Sequence, residues 1–154
     1  MPKIDLDAVP QTNRTGYPPP FDGPVGGRWY RRLAPATGLT QFGASHVVLK
    51  PGAWSSQRHW HAGEDEFLVM IGGEAVLVDD DGEHVLRPGD CCAFPMGNRN
   101  GHHLQNRGQE DCAFVVVGAG ANLGGEYPDI DMSFTPEGTY VHKDGTPYEA
   151  KRVP

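Results

Sequence analysis

The sequence has few cysteines and no long apolar run. Its three cysteines include the adjacent Cys91 and Cys92, which is not a disulfide framework and suits a reducing compartment. The longest apolar run, 112–117, is too short to cross a bilayer. Residues 1–7 lack the apolar core of a signal peptide. We therefore expect a cytoplasmic protein without a membrane partner.

Positive charge is also scarce. The chain of 154 residues has 13 Lys and Arg against 20 Asp and Glu, a net charge of −7. No basic run is longer than the pair Arg31 and Arg32. A nucleic-acid-binding module needs a basic patch to neutralise phosphates, so we expect no nucleic-acid partner.

No segment keeps a helical apolar period for three turns. Instead, 21 glycines and 14 prolines separate short apolar runs, which is typical of strands joined by turns. The sequence therefore predicts an all-β sandwich or barrel. The predicted strands are 29–33, 42–49, 55–61, 66–71, 74–79, 84–86, 91–94, 102–105 and 112–117.

The ends of the chain are rich in proline and glycine and flank the predicted strands. We expect an extended N-terminal arm over 1–27, a barrel over 28–118, and a C-terminal extension over 119–154 that packs on the barrel or on a partner subunit. Strand 66–71 alternates two apolar faces, so its outer face needs a second layer from the arm, the tail or another subunit. A homodimer is the favoured explanation.

Four of the seven histidines fall in two short stretches. His59 and His61 are two apart and share one face of a strand. Glu66 is predicted to open the next strand after the turn 62–65, and His102 or His103 offers a third nitrogen. Such nitrogen and oxygen donors suit one divalent transition metal per chain, and Fe, Mn, Zn, Ni and Co all remain open.

The spacing of these residues resembles that of the cupin family. The first cupin motif is met by Gly52, His59, His61, Glu66 and Gly73, and the second by Gly89, Pro95, Gly97, His102 and Asn106. The interval before His59 is one residue longer than usual, and that before His102 is two residues longer. The resemblance covers residues 52–106, and two matching motifs are far more specific than a single His-x-His pair.

The resemblance implies a double-stranded β-helix, a jelly-roll barrel, with His59, His61, Glu66 and His102 as metal ligands. In more detail, the chain resembles the stand-alone bacterial cupins, some of which are described as sugar-phosphate isomerases. We expect a small metalloenzyme acting on a small organic substrate, by dioxygenase-like oxidation or by metal-assisted isomerisation or lyase chemistry.

Two other functions stay open. The barrel could be a non-catalytic sensor or small-ligand-binding module, because one fold hosts both kinds of activity. A sugar-phosphate isomerase would need a phosphate clamp. Arg58, Arg99 and Arg107 lie near the motifs, but the pattern places none of them clearly inward.

Strand alternation and turn patterns also predict where several further residues lie. Those expected to line a substrate pocket are Gln57, Leu68, Met70, Phe94 and Leu104. Glu64 and Asp65 are expected in a solvated turn, and Asn106 is expected to order its turn. Residues expected at the surface or at an interface are Arg58, Trp60 and His103.

Overall fold

The computed structural model describes residues 2–149, and within them every paired strand is antiparallel. The predicted all-β class is confirmed. The strands are β1 (Arg28–Arg32), β2 (Gly43–Leu49), β3 (Trp60–His61), β4 (Glu64–Gly72), β5 (Ala75–Asp79), β6 (Gly82–Leu86), β7 (Cys91–Phe94), β8 (His103–Gln105), β9 (Cys112–Gly120), β10 (Gly125–Tyr127), β11 (Met132–Phe134) and β12 (Tyr140–Val141).

The main core lies between two sheets. One sheet has the order β1-β2-β9-β4-β7, and a smaller sheet has the order β6-β5-β8. Alternate residues of their strands point inward and exclude water, which is the principal source of stability in such a fold. The buried core includes Val47, Leu49, Leu68, Met70, Leu77, Leu86, Leu104 and Phe114.

Strand β4 shows the alternation most clearly. Leu68 and Met70 are 3% and 1% exposed, whereas Phe67 and Ile71 are 47% and 46% exposed. Neither the arm nor the tail, as far as residues 2–149 describe them, covers these two side chains. The predicted second layer on this face is therefore not supplied by the described part of the chain.

The N-terminal arm lies on the barrel. It contains two short 3-10 turns, Leu6–Ala8 and Gly23–Val25, and Thr12 pairs with Tyr30 of β1 through two backbone hydrogen bonds of 2.9 and 3.1 Å. Tyr17 and Val25 are buried against Tyr127 and Met132 of the tail. Arm and tail thus share a second hydrophobic cluster.

The C-terminal tail pairs with the strand that carries His61. Its strand β10 joins β3, with Gly125 opposite His61, in a sheet of order β12-β11-β10-β3. A Cβ atom at Gly125 would lie 2.1 Å from the carbonyl oxygen of Trp60. Glycine at this position is what allows the two backbones to approach.

Three local predictions were wrong. Only Trp60–His61 is a strand within 55–61, because the residues before it make isolated backbone hydrogen bonds, as Ser55 N does to Leu104 O and His59 N to His102 O. Strand β4 begins at Glu64 and not at Glu66. A short helix, α1 (Leu33–Thr37), follows β1, so Leu33 begins a helix and is not the last residue of a strand as expected. No helix within residues 2–149 is long and apolar enough to span a membrane.

Candidate metal centre

Three of the four predicted ligands converge on one point. His61 lies in β3, His59 immediately precedes that strand, and Glu66 lies in β4. The Nε2 atoms of the two histidines are 3.1 Å apart, and His61 Nε2 lies 3.8 Å from Glu66 Oε2. Two ligands at a right angle on a metal, each about 2.1 Å from it, would be about 3 Å apart. His59, His61 and Glu66 therefore form a group that could hold a metal ion.

The proton of His59 is on the nitrogen that faces away from this group. His59 Nδ1 donates to the carbonyl of Gln57 at 3.0 Å, with Ser56 Oγ at 3.2 Å. Burial, assisted by neighbouring His102, lowers the pKa of His59 to about 3. The ring is neutral at physiological pH, and its Nε2 lone pair points into the group, as metal ligation requires.

His102 contacts the carboxylate of Glu66. Its Nε2 lies 2.8 Å from Glu66 Oε2, and its ring stacks on Phe94 with centroids 3.5 Å apart. Burial raises the pKa of Glu66, but the hydrogen bond from His102 and electrostatic interactions with the three neighbouring histidines lower it overall to about 2. Glu66 is thus ionised, and His102 is placed beside the group of three rather than within it.

Glu64, expected in a solvated turn, lies in β4 beside the group. Its Oε2 is 3.2 Å from His61 Nδ1, without the alignment of a hydrogen bond. Asp65 is also in β4, and it accepts from the backbone N–H of Met96 at 2.8 Å. Gly97, at φ +74°, donates to the carbonyl of His61 at 2.8 Å. Residues 95–97 therefore hold β3 and β4 in place.

A cavity of about 420 Å³ opens beside the group. It is lined by His59, His61, Glu66 and His102, and by residues of the arm, β1, β2, β4, β9 and β12. Among the predicted pocket residues, Leu68, Phe94 and Leu104 line it. Gln57 and Met70 do not: the Gln57 amide donates to Phe21 O at 2.9 Å, and Met70 is 1% exposed in the core.

The cavity also contains arginines that the motifs did not indicate. Arg28 and Arg32 reach it from β1, and Arg14 reaches it from the arm. The alternation of Arg28, Tyr30 and Arg32 was the signal in the sequence, since alternate residues of a strand share a face. The arginines considered from the sequence lie elsewhere: Arg58 binds Asp80 and Asp129, and Arg107 binds Glu83.

The expectation that Trp60, Arg58 and His103 lie at the surface or at an interface was wrong. Trp60 and His103 are 9% and 4% exposed, and the Arg58 side chain is 13% exposed. The tail covers this side of β3, a layer that strand alternation could not reveal. His103 Nδ1 is 2.9 Å from the Ser56 carbonyl, so it supports the segment before His59.

The metal-free protein is expected to lose stability as the pH falls from about 6.5 toward 3. Burial holds the pKa of His59 near 3 in the folded chain, so between these values the unfolded chain binds more protons. The loss from His59 is about 1.4 kcal/mol per pH unit. Urea unfolding from pH 7 to pH 4 checks this. H59N should show a shallower pH dependence, and an identical slope in both proteins contradicts the assignment.

Comparison with known proteins agrees with this geometry. The family model for the cupin domain matches residues 45–118. A solved structure described as a sugar phosphate isomerase from a cupin superfamily, from Silicibacter pomeroyi, is 42% identical. The match covers 99% of this chain and 100% of that one, with a TM-score of 0.88. A structure from Acidithiobacillus ferrooxidans (24% identity, TM-score 0.68, 82% and 81% of the chains) supports the fold alone.

A curated relative is the oxalate-binding protein of Thermotoga maritima, 32% identical over 73 residues. That match covers 47% of this chain and 58% of the relative, so the chain spans little more than half of that protein's length. The full-length likeness to the Silicibacter structure and the two sheets around a His–His–Glu group point to the same family. The chain belongs to the cupin superfamily, and its fold is the cupin jelly-roll barrel.

Proposed function

We propose that this protein is a metal-dependent cupin enzyme that acts on a small organic substrate. One divalent transition metal per chain (Fe, Mn, Zn, Ni or Co) would be held by His59, His61 and Glu66, with His102 as a fourth ligand. The reaction would be a dioxygenase-like oxidation or a metal-assisted isomerisation or lyase reaction. The observation that carries the proposal is the convergence of two imidazole nitrogens and an ionised carboxylate at the wall of a cavity.

The chain's own residues supply orientation and exclude water. Gln57 fixes the ring of His59 through its carbonyl, and His102 fixes the carboxylate of Glu66. Leu68, Leu104 and Phe114 line part of the cavity with apolar surface. Apolar surface excludes water, and the lower dielectric constant strengthens electrostatic interactions with a bound substrate. A bound metal would supply a Lewis acid, or in the case of iron a centre for dioxygen.

Metal content of protein purified without oxygen and without a nickel column tests the proposal. Near-stoichiometric iron supports the oxidation and directs assays to oxygen uptake. Stoichiometric zinc, manganese, cobalt or nickel supports isomerase or lyase chemistry. Wild-type protein that holds no metal, even after reconstitution, contradicts the metalloenzyme.

A non-catalytic binding module is the second candidate. It is favoured by the relative that is named an oxalate-binding protein. An enzyme should lose turnover when His59 is replaced, whereas a metal-free binding protein should keep its ligand affinity. Sugar-phosphate isomerisation is the third candidate, favoured by the arginines of the cavity and by the name of the Silicibacter protein.

We also propose a homodimer formed through the outer face of the five-stranded sheet. Phe67, Val69 and Ile71 of β4 lie beside Val115 and Val117 of β9 on this face, in agreement with the register of the two strands. Phe67 and Ile71 are nearly half exposed, and adjoining apolar side chains of this kind mark association sites. A second copy would bury them symmetrically.

F67D should convert the dimer to a monomer, because a carboxylate at the centre of an apolar interface is left desolvated. Light scattering coupled to size exclusion should give twice the 16.7 kDa chain mass for wild type and one chain mass for F67D. L123D places the same charge at another exposed apolar residue, away from this face, and should remain dimeric. A monomeric wild-type protein contradicts the dimer.

A further inference from the structure

The cavity beside the candidate metal group concentrates positive charge in an acidic protein. Three of its lining residues are arginines, namely Arg14, Arg28 and Arg32, while Glu66 is the one carboxylate among the lining residues that the structure describes. The chain as a whole carries a net charge of −7. A cavity with this excess of fixed positive charge attracts an anion, and a bound divalent metal would increase the attraction.

Arg28 is held in position by two backbone carbonyls. Its Nη1 donates to the carbonyl of Ser55 at 2.9 Å, and its Nη2 donates to that of Arg14 at 3.4 Å. Its Nε is buried and has no hydrogen-bond partner within residues 2–149. No ion pair joins Arg14, Arg28 or Arg32 to a carboxylate in that part of the chain. A partly buried cation without a counter-ion is costly, and an anionic ligand would remove that cost.

Tyr30 aligns two of the guanidinium groups. Arg28 and Arg32 flank it on the same face of β1, and their Cζ atoms lie 5.2 and 5.9 Å from the centre of its ring. Its hydroxyl donates to the carbonyl of Arg14 at 3.0 Å, which ties the arm to the barrel. The forked donors of arginine match the oxygens of a carboxylate or phosphate.

The strand register places Arg32 three strands away from the strand that carries Glu66. Arg32 pairs with Ser45, Ser45 with Val116, and Val116 with Leu68, two residues from Glu66. Three spacings between neighbouring strands amount to about 14 Å along the curved sheet, and less across the cavity. Arg28, by contrast, donates to the carbonyl of Ser55, the residue before Ser56, whose Oγ lies 3.2 Å from His59 Nδ1. The arginines therefore line the same cavity as the metal group, and one ligand can contact both.

We propose that Arg28 and Arg32, together with Arg14, bind the oxyanion end of the substrate. The opposite end of that substrate, bearing oxygen donors, faces His59, His61 and Glu66. The oxyanion is a carboxylate or a phosphate, which these arginines recognise by the same chemistry. The assignment of the metal-facing end of the substrate rests on the proposed function, whereas the anion site depends on the arginines alone.

Calorimetric titration of the metal-free protein with inorganic phosphate and with succinate tests the anion site. Without metal, neither anion can bind by coordination, so affinity reports on the arginines. We expect wild-type protein to bind at least one of them, and preference for phosphate or succinate distinguishes the two anion types. R28Q and R32Q should each weaken binding about 10- to 100-fold, because each removes a charge-assisted hydrogen bond.

R87Q is the matched control. Arg87 is exposed and paired with Glu74 outside the cavity, so its loss lowers the net charge equally and should leave anion affinity unchanged. Arg32 is itself exposed, so R32Q remains informative if R28Q fails to fold. Wild-type affinity in both cavity variants overturns the proposal, as does a wild-type protein that binds neither anion. Anion binding by a wild-type protein that takes up no metal supports the anion site and contradicts only the metalloenzyme.

Discussion

Replacement of His59 by alanine, or of Glu66 by glutamine, is expected to lower metal affinity by more than about 100-fold. Loss of a residue that merely orients a ligand costs about 10- to 100-fold, so loss of a direct ligand should cost more. His59 contributes a neutral imidazole whose Nε2 is 3.1 Å from that of His61, and Glu66 contributes the negative charge. Titration of metal-free protein with Mn²⁺ or Co²⁺, together with metal analysis by mass spectrometry, measures the change.

H84A is the control for this prediction. His84 is an exposed imidazole on β6, paired with Asp79 outside the metal group, so its removal should leave metal affinity unchanged. Circular dichroism should show that H59A and E66Q keep their sheets. Stoichiometric metal in both folded variants would contradict the site. H102A separates the two arrangements of ligands: loss comparable to H59A favours four ligands, and a smaller loss favours orientation of Glu66.

Asn106→Ala is expected to destabilise the protein by about 2–3 kcal/mol, a large share of the total stability of a domain. Asn106 is 1% exposed, and its Nδ2 donates to the carbonyls of Leu49 and Glu110, each at 2.8 Å. Its Oδ1 accepts from Gly108 N at 2.9 Å. Alanine leaves the buried carbonyl of Leu49 without this donor, and one buried unsatisfied group costs about 1–3 kcal/mol. Gly108 and Glu110 are exposed, so their backbone groups can bond to water and add less. Urea unfolding at neutral pH measures the difference.

Asn98→Ala provides the comparison. Asn98 is exposed, and among the described residues its side chain accepts only from the nearby Asn100 N at 3.1 Å, so its replacement should cost less than about 1 kcal/mol. Equal stability of the two variants would show that the loop does not depend on the Asn106 amide. The expectation that Asn106 orders its turn would then be wrong.

The predictions that succeeded were those that depended on local periodicity. Alternation was enough to place His59 and His61 on one face and to identify Leu68 as inward, because a strand leaves no other choice. The all-β class followed from the same patterns together with the turn residues. The spacing to Glu66 predicted the third donor, even though β4 begins two residues earlier than expected.

The predictions that failed depended on layers brought in from distant parts of the chain. Gln57 was expected to face the pocket, but the arm passes close enough for Phe21 O to accept its amide. His103 and Trp60 are buried because the arm and tail pack around the segment before β3. No periodicity within one strand reports such contacts. The alternation of Arg28 and Arg32 was visible, but only the closed barrel shows that their face lines the cavity.

The cavity beside the candidate metal group is lined partly by residues from outside the barrel, namely Arg14 of the arm and Tyr140 of the tail. The metal group lies within residues 45–118, which match the cupin domain, but Arg14, Arg28 and Tyr140 lie outside that range. Proteins with the same barrel and different termini can therefore share a reaction centre and choose different ligands. For this protein, similarity confined to the barrel covers the candidate metal group, and similarity that extends through both ends also covers the arginines proposed to bind the anion.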